Sequence, residues 1–563
     1  MDVAPLHCCK EGNAGAAPHQ RQRNLDSASG RVGRYGEGGA RSAPRQQRQR
    51  QSDSANDRRK PAAPGAPAEL PVEIPVVRTG QGSSSTFFTS EQFKEIGASE
   101  EVVQALASIG IKRPSHVQAA AYRALLSPAR HVILADHAGS GKTLAYLLPL
   151  IQQLKEEEAQ LGRRVTQPGS PRIVVVVPTA ELCSQVVRVC RALSRALPFR
   201  SLAATGGHKL RTQREALEAG VDVLVATPGR LQELLAPPAE QEGSGAVAGP
   251  ALRLGACRAV VLDEVDVLLG DASAFAEQVR PLQAAAPPST RFVFVTATIP
   301  DHVFADLELG FPGIVAAFGP GLHRTAPGVV EQLVDCSGGD EVSEESGTRR
   351  KAAALLAVLQ EQKAARAIVF CNKIETCRKV ENFLNRTFGK EDGARVLAYH
   401  AAIAPEGREA NLKTFLAAPA SSGSGKSQPQ QGVQQQAQRL VLVCTDRASR
   451  GVDSAYVDHV VLFDFPRDPS EYVRRVGRTA RGAGGQGVVS ILVLGRQVKL
   501  AQDIINRNQK GLPVHRVPLG LPLAGAVATG AGAEEEGEDV ARWRKAQQQM
   551  GEDGADSDEF AEG

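Results

Sequence analysis

Short β-branched runs alternating with longer amphipathic segments predict an α/β chain of two tandem lobes, each a parallel sheet flanked by helices, with disordered tails at both ends. Three observations carry this expectation. The apolar runs are nearly continuous, as strands buried on both faces require. The pattern stops once and restarts, with a polar, glycine-containing stretch near Ser337–Thr348 inside a connector around residues 318–348. Residues 1–86 show no apolar periodicity, and after Pro518 the pattern fades into an acidic tail in which Val540–Met550 could form a short helix or partner motif.

Residues 1–86 are rich in Gly, Ala, Ser, Gln, Arg and Pro and read as a disordered basic arm, with twelve Lys/Arg against six Asp/Glu in the first 60. An arginine- and serine-rich beginning also suits an organellar transit peptide, although the acidic residues and glutamines weaken that reading. The first lobe is placed at 87–325, with strands expected at His131–Ala135, Ile173–Val177, Val221–Ala226, Ala259–Leu262 and Phe292–Val295. Helices are expected between them, for example over Glu181–Ala196 and Lys209–Ala219. The second lobe, 326–520, has strands expected at Ala367–Cys371, Val396–Tyr399, Leu440–Cys444, His459–Phe463 and Val488–Val493. Pro237–Pro250 and Ala417–Gln438 read as surface-loop insertions. The tail, 521–563, reads as disordered and acidic, with eleven Asp/Glu against three Lys/Arg from residue 534 onward and the sole tryptophan, Trp543.

The bulk composition is that of a globular protein, 42% hydrophobic and 23% charged, with a net charge of +4 that only weakly hints at a polyanionic partner. Nine cysteines without a C-x-x-C pair argue for reduced thiols and against a zinc site or disulfide framework. No run approaches the ~18–20 apolar residues that span a bilayer, so a membrane role is not expected.

Chemistry enters at Asp136-His137-Ala138-Gly139-Ser140-Gly141-Lys142-Thr143, between an apolar strand and the helical run Leu144–Leu148. A glycine loop in that position turns its amides inward around phosphate oxygens, and the helix start adds positive potential. Lys142 would reach the β- and γ-phosphates, and the Thr143 hydroxyl would ligand Mg²⁺. About 120 residues later, a buried strand ends in Asp263-Glu264-Val265-Asp266. Two carboxylates there are costly unless used or paired. Asp263 suits the Mg²⁺, through water, and Glu264 suits orientation and deprotonation of the attacking water.

Asp263-Glu264-Val265-Asp266 resembles the D-E-A-D signature of DEAD-box RNA helicases, and the family's other motifs follow in order over roughly residues 90–495. Phe93, Gly110, Pro114 and Gln118 are spaced like the Q motif, which implies that Gln118 reads the adenine edge and Phe93 stacks on the ring. Pro178-Thr179-Ala180-Glu181-Leu182 is similar to P-T-R-E-L, and Gly206-Gly207 and Thr227-Pro228-Gly229-Arg230 match two further RNA-contacting motifs. Thr296-Ala297-Thr298 resembles S-A-T, which links the ATP and RNA sites. In the second lobe, Phe370-Cys371-Asn372-Lys373, with His400 and Arg408, resembles motif IV; Thr445–Asp453 resembles motif V; Arg474–Arg481 resembles motif VI.

The resemblance implies two RecA-like lobes, ATP and Mg²⁺ as cofactors, and structured or single-stranded RNA as partner. Arg478 and Arg481, three apart, suit two guanidinium groups aimed at one γ-phosphate from the opposite lobe. Asp453 suits acceptance from the ribose hydroxyls. RNA contact would run along the backbone through glycine amides and hydroxyls such as Thr179, Thr227 and Thr445. At 4% aromatic residues, a stacking type of strand binder is disfavoured.

Four departures stand out. Asp136 replaces a small residue and predicts weaker nucleotide affinity unless it points away or pairs with a cation. Ala138 and Ala180 replace the family's Thr and Arg, and Arg474 replaces its histidine. Within the family, the stretches Phe370–Asn382, Asp464–Ser470 and Arg507–Gly511 look like a plant and algal subgroup acting in chloroplast ribosomal RNA maturation. The expectation is therefore a monomeric ATP-dependent RNA helicase working on rRNA or pre-ribosomal particles in the chloroplast, with the mitochondrion or nucleus and nucleolus as other compartments. A catalytically weakened RNA clamp in ribosome assembly is the alternative, and a DNA translocase a poorer third.

Overall fold

The computed structural model describes residues 76–77, 87–128, 130–236, 250–270, 275–338, 344–388, 394–417, 439–446, 457–482 and 485–514. Among them, fourteen strands form two sheets, and every pairing between strands is parallel.

The first sheet contains β1 (Val76–Val77), β2 (Val132–Ala135), β3 (Ile173–Val176), β4 (Ser201–Ala204), β5 (Val223–Ala226), β6 (Ala259–Asp263), β7 (Arg291–Thr296) and β8 (Val315–Phe318), in the order β1-β8-β2-β7-β6-β3-β5-β4. The second contains β9 (Val329–Asp335), β10 (Arg366–Phe370), β11 (Ala394–Tyr399), β12 (Arg439–Cys444), β13 (His459–Leu462) and β14 (Gly487–Val493), in the order β11-β12-β10-β13-β14-β9. Both faces of each sheet are covered, and successive residues serve opposite cores. Val132 and Leu134 pack with Tyr146 and Leu148 on one side, while Ile133 and Ala135 pack with Phe294 and Phe311 on the other. Ile368 and Phe370 divide from Ala367 and Val369 in the same way. This explains why the strands read as continuous apolar runs.

Two expectations need correction. The connector 318–348 contains β9, whose seven residues pair with β14 at the sheet edge. Its half-exposed, polar sequence, with Glu331 and Gln332, hides it from an apolar pattern. The arm 1–86 contributes β1, two residues paired with Ala316 and Ala317. The rest of the arm, the 521–563 tail with Trp543, and nearly all of the two expected insertions lie outside the described residues.

Helices start where the parallel strands end, which gathers their N-termini and the connecting loops along one edge. Thr179 caps the helix Ala180–Leu193, its hydroxyl accepting from the Leu182 amide at 3.2 Å. Gly141 ends the loop after β2 in a left-handed conformation and opens the helix Lys142–Leu161. The seven described cysteines are free and buried. No described helix is long and apolar enough to cross a membrane.

Candidate functional site

The loop after β2 is held from three sides. Gly139 and Gly141 have φ of +81° and +90°, which side chains rarely tolerate. The Ser115 hydroxyl donates to the Ser140 carbonyl at 2.8 Å, and Gln118 Nε2 donates to the Gly141 carbonyl at 3.3 Å. Gln118 Oε1 accepts from the Ser115 amide at 3.0 Å, so the side chain expected to read adenine also splints the loop. Lys142 Nζ donates to the carbonyls of Asp136 and His137 at 2.9 and 2.8 Å, and burial lowers its pKa.

Asp136 points away from the loop's interior. Its Oδ1 accepts from the Gly321 amide at 2.8 Å, from the His137 amide at 2.9 Å and from His137 Nδ1 at 3.0 Å. Burial alone would raise its pKa, but His137 and Lys142 hold it below the ordinary carboxylate range. A Cβ at either Gly319 or Gly321 would collide with this carboxylate, so the connector between lobes is shaped around it. Asp136 is thus engaged by the Gly321 amide and by His137, on the side of the connector between lobes.

The strand β6 delivers Asp263 beside Lys142. Tyr146 Oη donates to Asp263 Oδ2 at 3.1 Å, and the Glu264 amide donates to Asp263 Oδ1 at 2.9 Å. Burial first, and then the Glu264 charge, push Asp263 up to about 6. Glu264 sits at φ +54°, a strained conformation for a non-glycine residue, held by the amides of Val267 and Leu268 donating to its carbonyl at 2.9 and 3.1 Å. Asp266 accepts from the Thr298 hydroxyl at 2.7 Å and from Arg474 at 3.1 Å, so the last acid of the motif and the residue replacing the family's histidine form an ion pair between lobes.

From the second lobe, Arg478 approaches Glu264 at 4.0 Å. Arg481 Nε donates to the Gly477 carbonyl at 2.7 Å, and burial lowers Arg481 to about 10. Gly139 lies against the Arg481 backbone, and Gly477 lies against the Ala138 methyl. Ser140 Oγ, Glu264 Oε2 and Arg478 Nε are buried without a hydrogen-bond partner. Three such orphans around one loop, beside a carboxyl raised by burial and then by the Glu264 charge, fit a phosphate-rich ligand and a cation. Lys142, Gly139, Ser140 and Gly141 would hold the phosphates; Thr143 and Asp263 would hold Mg²⁺.

Several residues expected to touch ligand serve the architecture. Phe93 is 3% exposed inside the first-lobe core and offers no ring face for stacking; Phe87 instead borders the inter-lobe cavity of about 810 Å³. Arg230 is buried, donating to Gln213 Oε1 at 3.2 Å and the Gly206 carbonyl at 3.4 Å, so it props the Gly206-Gly207 turn. Asn372 donates to the Phe465 carbonyl at 3.0 Å and accepts from Arg475 at 2.7 Å. Arg475, fully buried, also binds Asp446 and the Asp464 carbonyl and stacks 5.5 Å from the Phe370 ring centroid. Gly206, Gly207 and Gly229 are exposed, and Pro178, Thr179, Thr227 and Pro228 half-exposed, at the ends of β3, β4 and β5. These three strands are neighbours, so the seven residues form one rim. Thr445 follows β12, and Tyr399 Oη reaches Glu181 across the lobes at 3.2 Å, a contact no motif announced. Asp453 lies outside the described residues.

Family models match two stretches: DEAD/DEAH box helicase over residues 115–307, and helicase conserved C-terminal domain over residues 350–483. The chain is 48% identical over 437 residues to DEAD-box ATP-dependent RNA helicase 50 of Oryza sativa subsp. japonica, covering 77% of this chain and 63% of that one. It is equally similar to the Arabidopsis thaliana protein of the same name, covering 78% of this chain and 53% of that one. It therefore spans less than two thirds of these relatives. It is 30% identical to ATP-dependent RNA helicase dbp8 of Aspergillus oryzae, covering 79% of this chain and 90% of the relative. Among solved structures, DEAD-box helicase Mss116 bound to ssRNA and UDP-BeF shares the fold, with a TM-score of 0.60, 17% identity, and 85% and 89% of the two chains covered.

Proposed function

Because the chain belongs to the DEAD/DEAH box helicase family, we propose that it is an ATP-dependent RNA helicase that remodels structured RNA. The observation that carries this is the meeting of Glu264 and Arg478, from different lobes, at 4.0 Å with orphaned polar atoms on both. Bound ATP-Mg²⁺ would supply the phosphoryl group and the charge that those atoms lack. Lys142 exchanges its two carbonyl partners for phosphate oxygens. Glu264 orients a water and takes its proton. Arg478 and Arg481 neutralise the charge that builds up opposite Glu264, a role that exists only while the lobes are closed.

RNA backbone lies along the rim of Pro178, Thr179, Gly206, Gly207, Thr227, Pro228 and Gly229, and across to Thr445. Tyr399 with Glu181, and Arg474 with Asp266, report whether the lobes are together. RNA-stimulated ATP hydrolysis and unwinding of a short duplex test the reading. Both activities should collapse in Glu264→Gln; if that variant changes neither, the enzymatic reading falls. The Asp136 geometry removes one motive for a binding-only clamp.

The segments 370–382, 464–470 and 507–511 support ribosomal RNA as the target, and the basic arm supports a chloroplast address. Crosslinked RNA recovered from cells tests the first, and the location of a reporter fused to residues 1–86 tests the second. Recovery of mRNA, or a nuclear signal, would overturn them.

A further inference from the structure

The edge of the first sheet opposite the nucleotide loop carries a groove of about 720 Å³. Four arginines line it, and each stands at the beginning of a strand: Arg130 before β2, Arg291 at the start of β7, Arg258 before β6 and Arg172 before β3. These strands are consecutive neighbours in the sheet, so the guanidinium groups are delivered in a row at the ~4.8 Å spacing of strands. One lining carboxylate, Glu157, serves both Arg172 and Arg258. Arg291 is largely buried and donates only to neutral oxygens of Leu125, Ser127 and Gln153, leaving its charge uncompensated. Arg172 is buried, and its Nε has no partner. The excess positive charge is also felt by His131, which burial and then Arg130 and Arg291 lower to about 4.

The opposite wall is the helix Lys142–Leu161, which lines the groove with Leu150, Leu154 and Leu161 interleaved with Gln153, Glu157 and Gln160. Leu161, at its end, is 51% exposed. A row of guanidinium groups facing a helix wall that mixes amides with one exposed leucine suits a segment carrying carboxylates among occasional apolar side chains.

We propose that this groove binds the chain's own acidic segment, residues 534–563. That segment carries eleven Asp/Glu against three Lys/Arg and sets Trp543 and Phe560 among them. The twenty residues from Val514 to Glu534 reach about 66 Å when extended. The inference does not depend on helicase activity.

A labelled peptide of residues 534–563 is titrated into three full-length proteins: the native chain, a variant with the eleven tail carboxylates changed to amides, and that variant carrying R130E/R258E. Both arginines are exposed and remote from the cleft, so an unchanged melting temperature serves as the folding control. The amide variant is expected to bind the peptide at least tenfold more tightly than the native chain, whose own tail competes. R130E/R258E is expected to abolish at least tenfold of that binding. Equal binding by all three proteins overturns the proposal. So does arginine-dependent binding of equal strength in the native chain and the amide variant, which assigns the groove to a segment of another molecule. Loss of single-stranded RNA binding, and not of peptide binding, in R130E/R258E assigns it to RNA and overturns the proposal as well.

Discussion

The ends of β2 and β6 both place a buried aspartate at the nucleotide loop, and the two are treated in opposite ways. Asp136 accepts three hydrogen bonds, and its pKa is held down by His137 and Lys142 despite burial. Asp263 accepts two, faces Glu264, and is pushed up to about 6. The carboxylate held down belongs to the architecture, tying the loop to the connector between lobes. The one pushed up, by burial first and then by Glu264, is the one the proposed function assigns to a cation.

The sharpest test removes the acid beside Asp263. Glu264→Gln should lower kcat for RNA-stimulated ATP hydrolysis by about 10³-fold, the scale of losing a general base, with an unchanged melting temperature. Asp136→Ala should do the reverse. It strips the acceptor from the buried Gly321 amide and is expected to cost about 3 kcal/mol in denaturant unfolding. Gly321→Ala should be destabilising for the complementary reason, since its Cβ needs the space of that carboxylate. If Asp136→Ala leaves stability intact and tightens ATP binding, the carboxylate faces the phosphates after all and the contrast breaks.

A gentler probe exploits pH. A carboxyl whose folded pKa is raised holds its proton while the unfolded chain has lost it, so ionising it on folding costs stability as pH rises from about 4 to about 6. Asp263→Asn should therefore stabilise the nucleotide-free protein against unfolding at pH 8 by on the order of 3 kcal/mol, and give no gain at pH 4. A gain of the same size at both pH values would mean that Asp263 is not the titrating group. Smallest of all, Tyr399→Phe should weaken lobe closure by about 0.5–1 kcal/mol, read as a modest rise in the RNA concentration needed for half-maximal ATP hydrolysis.

Much of this was legible in the residues because burial on two faces leaves a plain mark. All ten strands expected from apolar runs are present, whereas β4, with Ser201, and β9, with Glu331 and Gln332, are edge strands whose polar or small residues carry no such mark. Lys142, Asp263, Glu264, Arg478 and Arg481 are brought together, as the family resemblance implied. Phe93, Arg230 and Asn372 match contact motifs by position but are consumed inside the lobes, since spacing fixes a place on the chain and not the direction of a side chain. The orientation of Asp136 depends on Gly319 and Gly321, more than 180 residues away, and no local pattern contains it.

The seven buried thiols offer a readout of lobe dynamics. Cys183, Cys190 and Cys257 are pushed up to about 12 by burial, so at pH 8 only about one in 10⁴ would be thiolate even if a reagent reached them. Cys336, Cys371 and Cys444, in the second lobe, are raised by the same cause. Alkylation must wait for each lobe to open, which makes the pattern of modified cysteines a clock that times the breathing of one lobe against the other.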